Sequence, residues 1–177
     1  MVSLPRNEVV SLGGISTNHA LMYYYHRDFD QAIRELNRVR VFDANQPFEH
    51  FVRGQVYSKI GKFEEAIKEQ QLAHQLFSAP WSHGRLAYAY AMAGKKQEAI
   101  AILDLLEKQS STAYVASDVV ASVYVALGDY GHAFQFLEKG INERAGWMIW
   151  LKVDPIWDPI REDKRFISIL EKMNLNH

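Results

Sequence analysis

Hydrophobic, small and polar residues follow one pattern that repeats four times along this chain. Four tyrosines are spaced 34, 33 and 34 residues apart, and each follows a small residue three positions earlier. The tyrosines are Tyr23, Tyr57, Tyr90 and Tyr124, and the small residues are Ala20, Gly54, Ala87 and Ala121. Residues three apart share one face of an α-helix. The pattern therefore predicts four helices that a neighbouring helix can approach closely beside the tyrosine ring.

A turn and a second helix are predicted after each tyrosine. The turn position holds glycine in three units and Arg27 in the first; the glycines are Gly61, Gly94 and Gly128. Glycine adopts the left-handed backbone that commonly ends a helix without steric penalty. An alanine stands five residues after each turn position, at Ala32, Ala66, Ala99 and Ala133. Each unit is thus predicted to be a helix, a tight turn and a second helix.

These units resemble tetratricopeptide repeats, whose pattern has a small residue, an aromatic residue, a turn glycine, a second aromatic residue and further small residues in this order. Arg27 and Lys96 depart from it, at the turn glycine of the first unit and the turn aromatic of the third. The resemblance implies an all-α fold, a right-handed superhelical array of four helical hairpins with a C-terminal capping helix. We expect an N-terminal extension over 1–12, repeats over 13–46, 47–79, 80–113 and 114–145, and a capping segment over 146–177.

A hairpin of this kind cannot bury both of its apolar faces, so neighbouring hairpins stack and leave a concave surface. The resemblance implies that first-helix residues line this surface. The candidate peptide-binding residues are Tyr24, Phe51, Arg53, Gln55, Lys59, Trp81, Arg85 and Tyr88. Aromatic side chains with polar tips suit peptide binding because they give large contact area. The alternative for each ring is packing against a neighbouring helix.

Some tetratricopeptide domains bind a chaperone's C-terminal carboxylate with a clamp of Lys, Asn and Arg. The places that should hold lysine and asparagine contain Thr17, Leu21 and Trp81, and only Arg85 has the required charge. This specialised function is therefore disfavoured. We expect a ligand with apolar side chains and an acidic residue or carboxylate near the arginines.

The segment after Ala145 breaks the repeat. Asp158-Pro159 is a helix-start signal, and an apolar stripe follows at Phe166, Ile169, Leu170 and Met173. This pattern predicts an amphipathic helix that covers the last hairpin, with Trp147, Trp150 and Trp157 packed between them. The segment also resembles the end of tetratricopeptide regions in bacterial multidomain regulators, which implies a bacterial origin and an interaction or sensor role.

Composition narrows the functional classes. The 177 residues include 20 Lys and Arg against 21 Asp and Glu, so no basic surface for nucleic acid or an anionic membrane is indicated. Cysteine is absent, which excludes disulfides and thiolate zinc sites. The chain carries no signal-peptide pattern and no apolar run near the roughly 18 residues of a membrane span. We expect a soluble, cytoplasmic scaffold protein.

Catalysis and metal binding are not predicted. The sequence lacks a phosphate loop, a nucleophile elbow and an HExxH motif, and its paired acids lie at predicted helix starts where the helix dipole explains them. His50 and His83 lie at matching places, but two histidines without a third ligand make a weak metal site. No catalytic residue, metal or cofactor is expected. The sequence predicts a non-enzymatic protein- or peptide-binding module, with homo-oligomerisation of the array as the alternative.

Overall fold

A computed structural model describes residues 6–110 and 113–175 of the chain. Within these ranges the fold consists of helices without strands, and the all-α prediction is confirmed. The chain divides into two compact units, Met1–Ser78 and Ala79–His177, which are described separately. Among the described residues, no helix has both the length and the apolar character that crossing a membrane requires.

The first unit contains two helical hairpins. Its helices are α1 (Arg6–Tyr25), α2 (Phe29–Phe42), α3 (Pro47–Lys59) and α4 (Phe63–Leu76). The helices pack as the pairs α1 with α2 and α3 with α4, and α3 also contacts α1 and α2. Helix α1 begins at Arg6, so it includes part of the expected N-terminal extension, whose first five residues lie outside the described part.

The second unit contains two further hairpins and a closing segment. Its α-helices are α5 (Pro80–Met92), α6 (Lys96–Gln109), α7 (Ser117–Leu127), α8 (Tyr130–Glu143) and α9 (Lys164–Lys172). Two 3₁₀ helices, Gly146–Trp150 and Pro155–Ile160, connect α8 to α9. Helix α5 packs on α6 and α7, α7 packs on α8, and α9 packs on α8.

Main-chain hydrogen bonds close all four hairpin turns in the same way. The residue after each turn position donates its N–H to the carbonyl oxygen of the repeated tyrosine at 2.9 Å, as Lys62 does to Tyr57. The turn glycines have φ between 76° and 79°, and Arg27 adopts the same left-handed region with φ of 62°. This is the Schellman arrangement at a helix C-terminus. The hairpin prediction is therefore confirmed down to its turn positions.

The repeated small residues lie where two helices meet. All seven alanines of the pattern are completely buried: Ala20, Ala32, Ala66, Ala87, Ala99, Ala121 and Ala133. At Gly54, a Cβ atom would lie 2.5 Å from Nε2 of Gln70 in α4. At Gly84, outside the repeat pattern, it would lie 1.9 Å from Cγ1 of Val119 in α7. Small side chains therefore set the helix separations in each unit.

The closing helix starts later than the sequence predicted. Asp158 and Pro159 lie inside the second 3₁₀ helix, and α9 begins after Asp163, whose carboxylate accepts a hydrogen bond from the Arg165 N–H at 2.9 Å. The prediction that the closing α-helix starts at Asp158-Pro159 is wrong, because these two residues belong to the preceding 3₁₀ helix. The predicted apolar stripe belongs to the core of the second unit: Phe166 and Ile169 are buried, and Leu170 and Met173 pack against them.

Candidate peptide-binding surface

The predicted aromatic residues of the first unit pack inside it. Tyr24 on α1 is fully buried, and its ring centroid lies 5.6 Å from that of Tyr25 and 6.0 Å from that of Phe29. Phe51 on α3 is buried and stacks on Phe48 at 5.5 Å. These rings therefore contribute to packing in this state, which was the alternative open for each of them.

The predicted polar residues of the first unit lie on α3 and differ in exposure. Arg53 is buried; its Nε donates to Oε1 of Glu49 at 2.6 Å and its Nη1 donates to Oδ1 of Asn37 at 2.9 Å. Gln55 is buried and Lys59 is half-buried. The Arg53 guanidinium thus joins α3 to α2, because Asn37 lies on α2.

A buried cluster of charged side chains lies beside Arg53. Nδ1 of His50 is 2.6 Å from Oε2 of Glu69, and Nε2 of His50 is 3.0 Å from the carbonyl oxygen of Ala44. The hydrogen bond to Glu69 raises the pKa of His50, against the effect of burial, and the negative charge of Glu49 adds to it. Burial alone would raise the pKa of Glu69, but its hydrogen bonds with His50 and Arg40 lower that pKa.

Three side chains of this cluster have donor atoms close enough for a metal ion. One donor atom each from Glu49, His50 and Glu69 lies within 4.8 Å of the others. Nη2 of Arg40, however, lies 3.2 Å from Oε2 of Glu49 and 2.9 Å from Oε2 of Glu69. The guanidinium therefore already supplies the cation that balances these carboxylates. The arrangement is that of a structural ion cluster joining α2, α3 and α4.

The predicted residues of the second unit lie on α5 and are largely covered. Trp81 is half-buried, and Arg85 and Tyr88 are buried. Tyr88 belongs to one apolar cluster with Ile156, Trp157 and Ile160 of the closing segment. Burial raises the pKa of Tyr88, and the negative charges of Asp154 and Asp158 raise it further. The second 3₁₀ helix also contacts α7. Residues 154–160 therefore pack against α7, and their acidic side chains lie within electrostatic reach of Tyr88 on α5.

A buried carboxylate on α7, that of Asp118, lies near these residues. Asp118, at the start of α7, is 2% exposed, and its Oδ1 has no hydrogen-bond partner within the described ranges. Burial raises the pKa of Asp118, the positive charge of Arg85 opposes this, and Asp154 and Glu143 add to the increase. Arg85 and Asp154 of the closing segment thus both lie within electrostatic reach of Asp118.

A separate cleft opens between the second helices of this unit. We name it the α6–α8 cleft; its volume is about 390 Å³. It is lined by Leu103, Asp104, Leu106, Glu107, Ser110, Val115, Val120, Tyr124, His132, Phe136 and Lys139. None of the residues predicted from the sequence to bind a peptide lies in it.

Sequence reasoning missed the residues of this cleft and of the closing segment. Tyr124 was assigned only to the repeat pattern, yet His132 and Phe136, four residues apart on α8, indicate that one helix face carries two rings. Residues 154–159 contain Asp-Pro twice, a signal for turns that favoured the 3₁₀ geometry. Trp147, expected to pack against the cap, is 44% exposed, whereas Trp157 is buried as expected.

The fold defines a class of protein built from stacked helical hairpins of one repeated pattern. The family model of the tetratricopeptide repeat matches residues 50–76, which cover most of α3 and all of α4. Residues 50–76 are therefore similar to one tetratricopeptide repeat, and the same hairpin pattern recurs in the other units of the chain. A search of curated proteins found no match to the chain. Repeats of this kind generally support protein–protein interaction.

Proposed function

We propose that the chain is a non-enzymatic module that binds a protein or peptide through the inner faces of its first helices, as the interaction part of a regulatory system. The observation that carries this proposal lies in the second unit, where residues 154–160 of the same chain pack on α7 and share one apolar cluster with Tyr88 of α5. A face that accepts one irregular segment has the shape and chemistry to accept another. The inner residues of the first unit, Lys59 among them, remain candidates for the same role.

The covering segment indicates the chemistry of the ligand. It presents Ile156 and Trp157, both buried, and it carries Asp154 and Asp158, whose charges act on Tyr88. Arg85 supplies the positive charge of the face. Apolar side chains combined with a carboxylate are what the sequence led us to expect of a ligand. We infer that residues 154–160 act as an internal substitute for such a peptide.

Binding of a partner then competes with the chain's own segment. The internal segment has the advantage of a high effective concentration, because it is covalently attached. A partner peptide must therefore bind more tightly than its contacts alone require, or must meet a chain whose segment has been loosened. Competition of this kind makes binding dependent on anything that weakens the closing segment.

A synthetic peptide of residues 151–161 tests the proposal. Fluorescence anisotropy should show weak binding to the wild-type chain, and binding about tenfold tighter to a Trp157→Ala variant, since that variant loses a central aromatic anchor. Adding Arg85→Gln to this variant should weaken binding again. Lys68→Ala, an exposed change on α4, is the control and should leave affinity unchanged.

Trp157→Ala can also destabilise the second unit, so a milder variant is needed. Asp158 is exposed, and Asp158→Asn removes its charge while keeping its size. This variant should fold as the wild type does and bind the peptide more tightly than the wild type, by a smaller factor than Trp157→Ala. Equal peptide affinity in the wild type, the Asp158→Asn variant and the Arg85→Gln variant would refute binding at this face.

Self-association is the second candidate. Apolar side chains remain exposed next to the covering segment, at Trp147, Ile149 and Val153. If the segment of one copy covered α7 of another, the product would be an exchanged dimer. Size-exclusion chromatography with light scattering distinguishes the two. We expect the wild type to be a monomer at micromolar concentration. A wild-type dimer that becomes a monomer in the Trp157→Ala variant would favour self-association instead.

A further inference from the structure

The α6–α8 cleft combines aromatic rings on one side with carboxylates on the other. Tyr124 on α7 stacks on two rings of α8, with centroid distances of 5.1 Å to His132 and 5.6 Å to Phe136. The planes of these pairs differ by 24° and 19°. Asp104 and Glu107 lie three residues apart on α6, so their side chains share the opposite wall. The volume of about 390 Å³ falls in the range of small ligand pockets.

The charges of the cleft are not balanced. Within residues 6–110 and 113–175, neither Asp104 nor Glu107 forms an ion pair or a side-chain hydrogen bond. Both carboxylates act on the phenol of Tyr124, whose pKa is raised first by burial and then by the charges of Asp129, Glu107 and Asp104. The lysine in the cleft, Lys139, pairs with Glu143 at 3.4 Å, and its Nζ lies 5.8 Å from the centroid of the Phe136 ring.

A planar cation fits this combination better than other groups. Arginine guanidinium stacks on aromatic faces and also donates hydrogen bonds to carboxylates in a fixed geometry. The apolar lining at Leu103, Val115 and Val120 can contact the methylene groups of such a side chain and the residues next to it. Asp104 and Glu107 are exposed and hydrated, so they do not require a cation, but their charges favour a cationic ligand and repel an acidic one.

We propose that the α6–α8 cleft is a second binding site, which takes an arginine side chain from a partner peptide with apolar residues on either side of it. The guanidinium lies between the rings of Tyr124 and Phe136 and the carboxylates of Asp104 and Glu107. This site uses residues of α6, α7 and α8 and a ligand of positive charge, whereas the proposed inner-face site takes acidic peptides. The two proposals are therefore independent, and each can fail without the other.

Acetyl-Leu-Arg-Leu-amide is the probe, and the same peptide with citrulline in place of arginine is its neutral counterpart. Titration of the full chain followed by ¹H–¹⁵N NMR should perturb residues 103–107 and 132–136. The citrulline peptide should bind about tenfold more weakly or not at all, because it keeps the shape of arginine but loses the charge. Binding of the arginine peptide should weaken with added salt.

Two sets of variants test the assignment to these side chains. The double variant Asp104→Asn with Glu107→Gln should weaken binding of the arginine peptide about tenfold, since both charge partners are lost. The matched control is Glu98→Gln with Glu138→Gln, which removes the same charge from exposed positions on α6 and α8, the two helices that flank the cleft, outside its lining. The control should bind the peptide as the wild type does.

Phe136→Leu keeps an apolar side chain and removes a ring face, so it tests the stacking part. The variant should weaken binding of the arginine peptide by a few fold and leave the midpoint of urea denaturation nearly unchanged. Equal binding of the arginine and citrulline peptides would overturn the proposal. So would an unchanged affinity in the Asp104→Asn, Glu107→Gln variant, or perturbations confined to α5 and residues 154–160.

Discussion

Among single residues, Arg27 holds a backbone conformation that glycine holds at the three equivalent turns. Its φ of 62° lies in the left-handed region, which costs a residue with a Cβ about 1–2 kcal/mol. Its side chain recovers part of this cost, because Nη1 donates to the carbonyl oxygen of Tyr25 at 3.2 Å. The first hairpin is therefore closed by a residue that its turn does not favour.

Replacing Arg27 by glycine should stabilise the protein. We expect the free energy of unfolding to rise by about 1 kcal/mol, because the left-handed strain is removed. Urea denaturation followed by circular dichroism measures it. Arg38→Gly is the matched control; Arg38 is exposed in the interior of α2, so glycine there should destabilise by about 1 kcal/mol. A loss of stability in Arg27→Gly would mean that the arginine contacts outweigh the strain.

His50 makes stability depend on pH. Its pKa is raised in the folded state by the hydrogen bond to Glu69, so folding favours the protonated imidazole. The contribution is complete below the unfolded pKa of about 6.5 and is lost as the pH rises through the higher folded pKa. Arg40 and Glu49 are the other charged groups that face the ring, with Nη2 of Arg40 at 3.4 Å and Oε2 of Glu49 at 3.5 Å from Nδ1 of His50.

The free energy of unfolding of the wild type should therefore fall as the pH rises above about 6.5, relative to a His50→Gln variant. Glu69→Gln should flatten the curve in the same way, because it removes the partner of the imidazole. Urea titrations at a series of pH values measure both. Parallel curves for the wild type and His50→Gln would contradict the proposed charge state.

At the scale of elements, the contact between α5 and α7 leaves no room for a larger side chain at Gly84. A methyl group at Gly84 would lie 1.9 Å from Cγ1 of Val119, so Gly84→Ala requires the helices to separate. We expect a destabilisation of about 1–3 kcal/mol, measured from the thermal midpoint. Gly131→Ala is the control, since its Cβ would lie 3.6 Å from the nearest atom, Oδ1 of Asp129. It should be neutral or stabilise by about 0.5–1 kcal/mol, because alanine favours a helix.

Elements and turns were predictable from the sequence because their signals are local. The tyrosine, the turn position and the alanine of each unit fall within eleven residues, and the hairpins follow from them. The burial of Tyr24, Phe51 and Tyr88 was not predictable, because it depends on what covers a helix face after the chain has folded. Tyr88, for example, shares its apolar cluster with Ile156, Trp157 and Ile160, which lie more than sixty positions later in the sequence.

The start of α9 shows the same limit over a shorter distance. Asp-Pro is compatible with the start of an α-helix and also with a 3₁₀ helix. In this chain Asp158-Pro159 lies inside a 3₁₀ helix. Only the packing of Ile156, Trp157 and Ile160 into the core of the second unit decides between the two outcomes.

At the scale of the whole molecule, the chain ends its repeat pattern with a segment that completes a core. Deleting all residues after Val153 removes Ile156, Trp157, Phe166 and Ile169 from one apolar cluster. We expect aggregation or loss of cooperative melting, because an uncovered terminal repeat exposes its apolar side. Deletion after Leu175 is the control; it keeps α9 and the hydrogen bond from the Leu175 N–H to the Leu170 carbonyl oxygen, and it should melt as the wild type does. A soluble and cooperative product of the longer deletion would show that the segment has no capping role.

The four turns have one more consequence. Each turn is closed by main-chain atoms, with an N–H donated to the carbonyl oxygen of the repeated tyrosine. In three of the turns the left-handed position is a glycine. A duplicated hairpin would carry its own complete turn with it, and its buried alanines would meet neighbours of the same size. The number of hairpins can therefore change through duplication or loss of one 34-residue block of the gene, without new turn chemistry having to evolve.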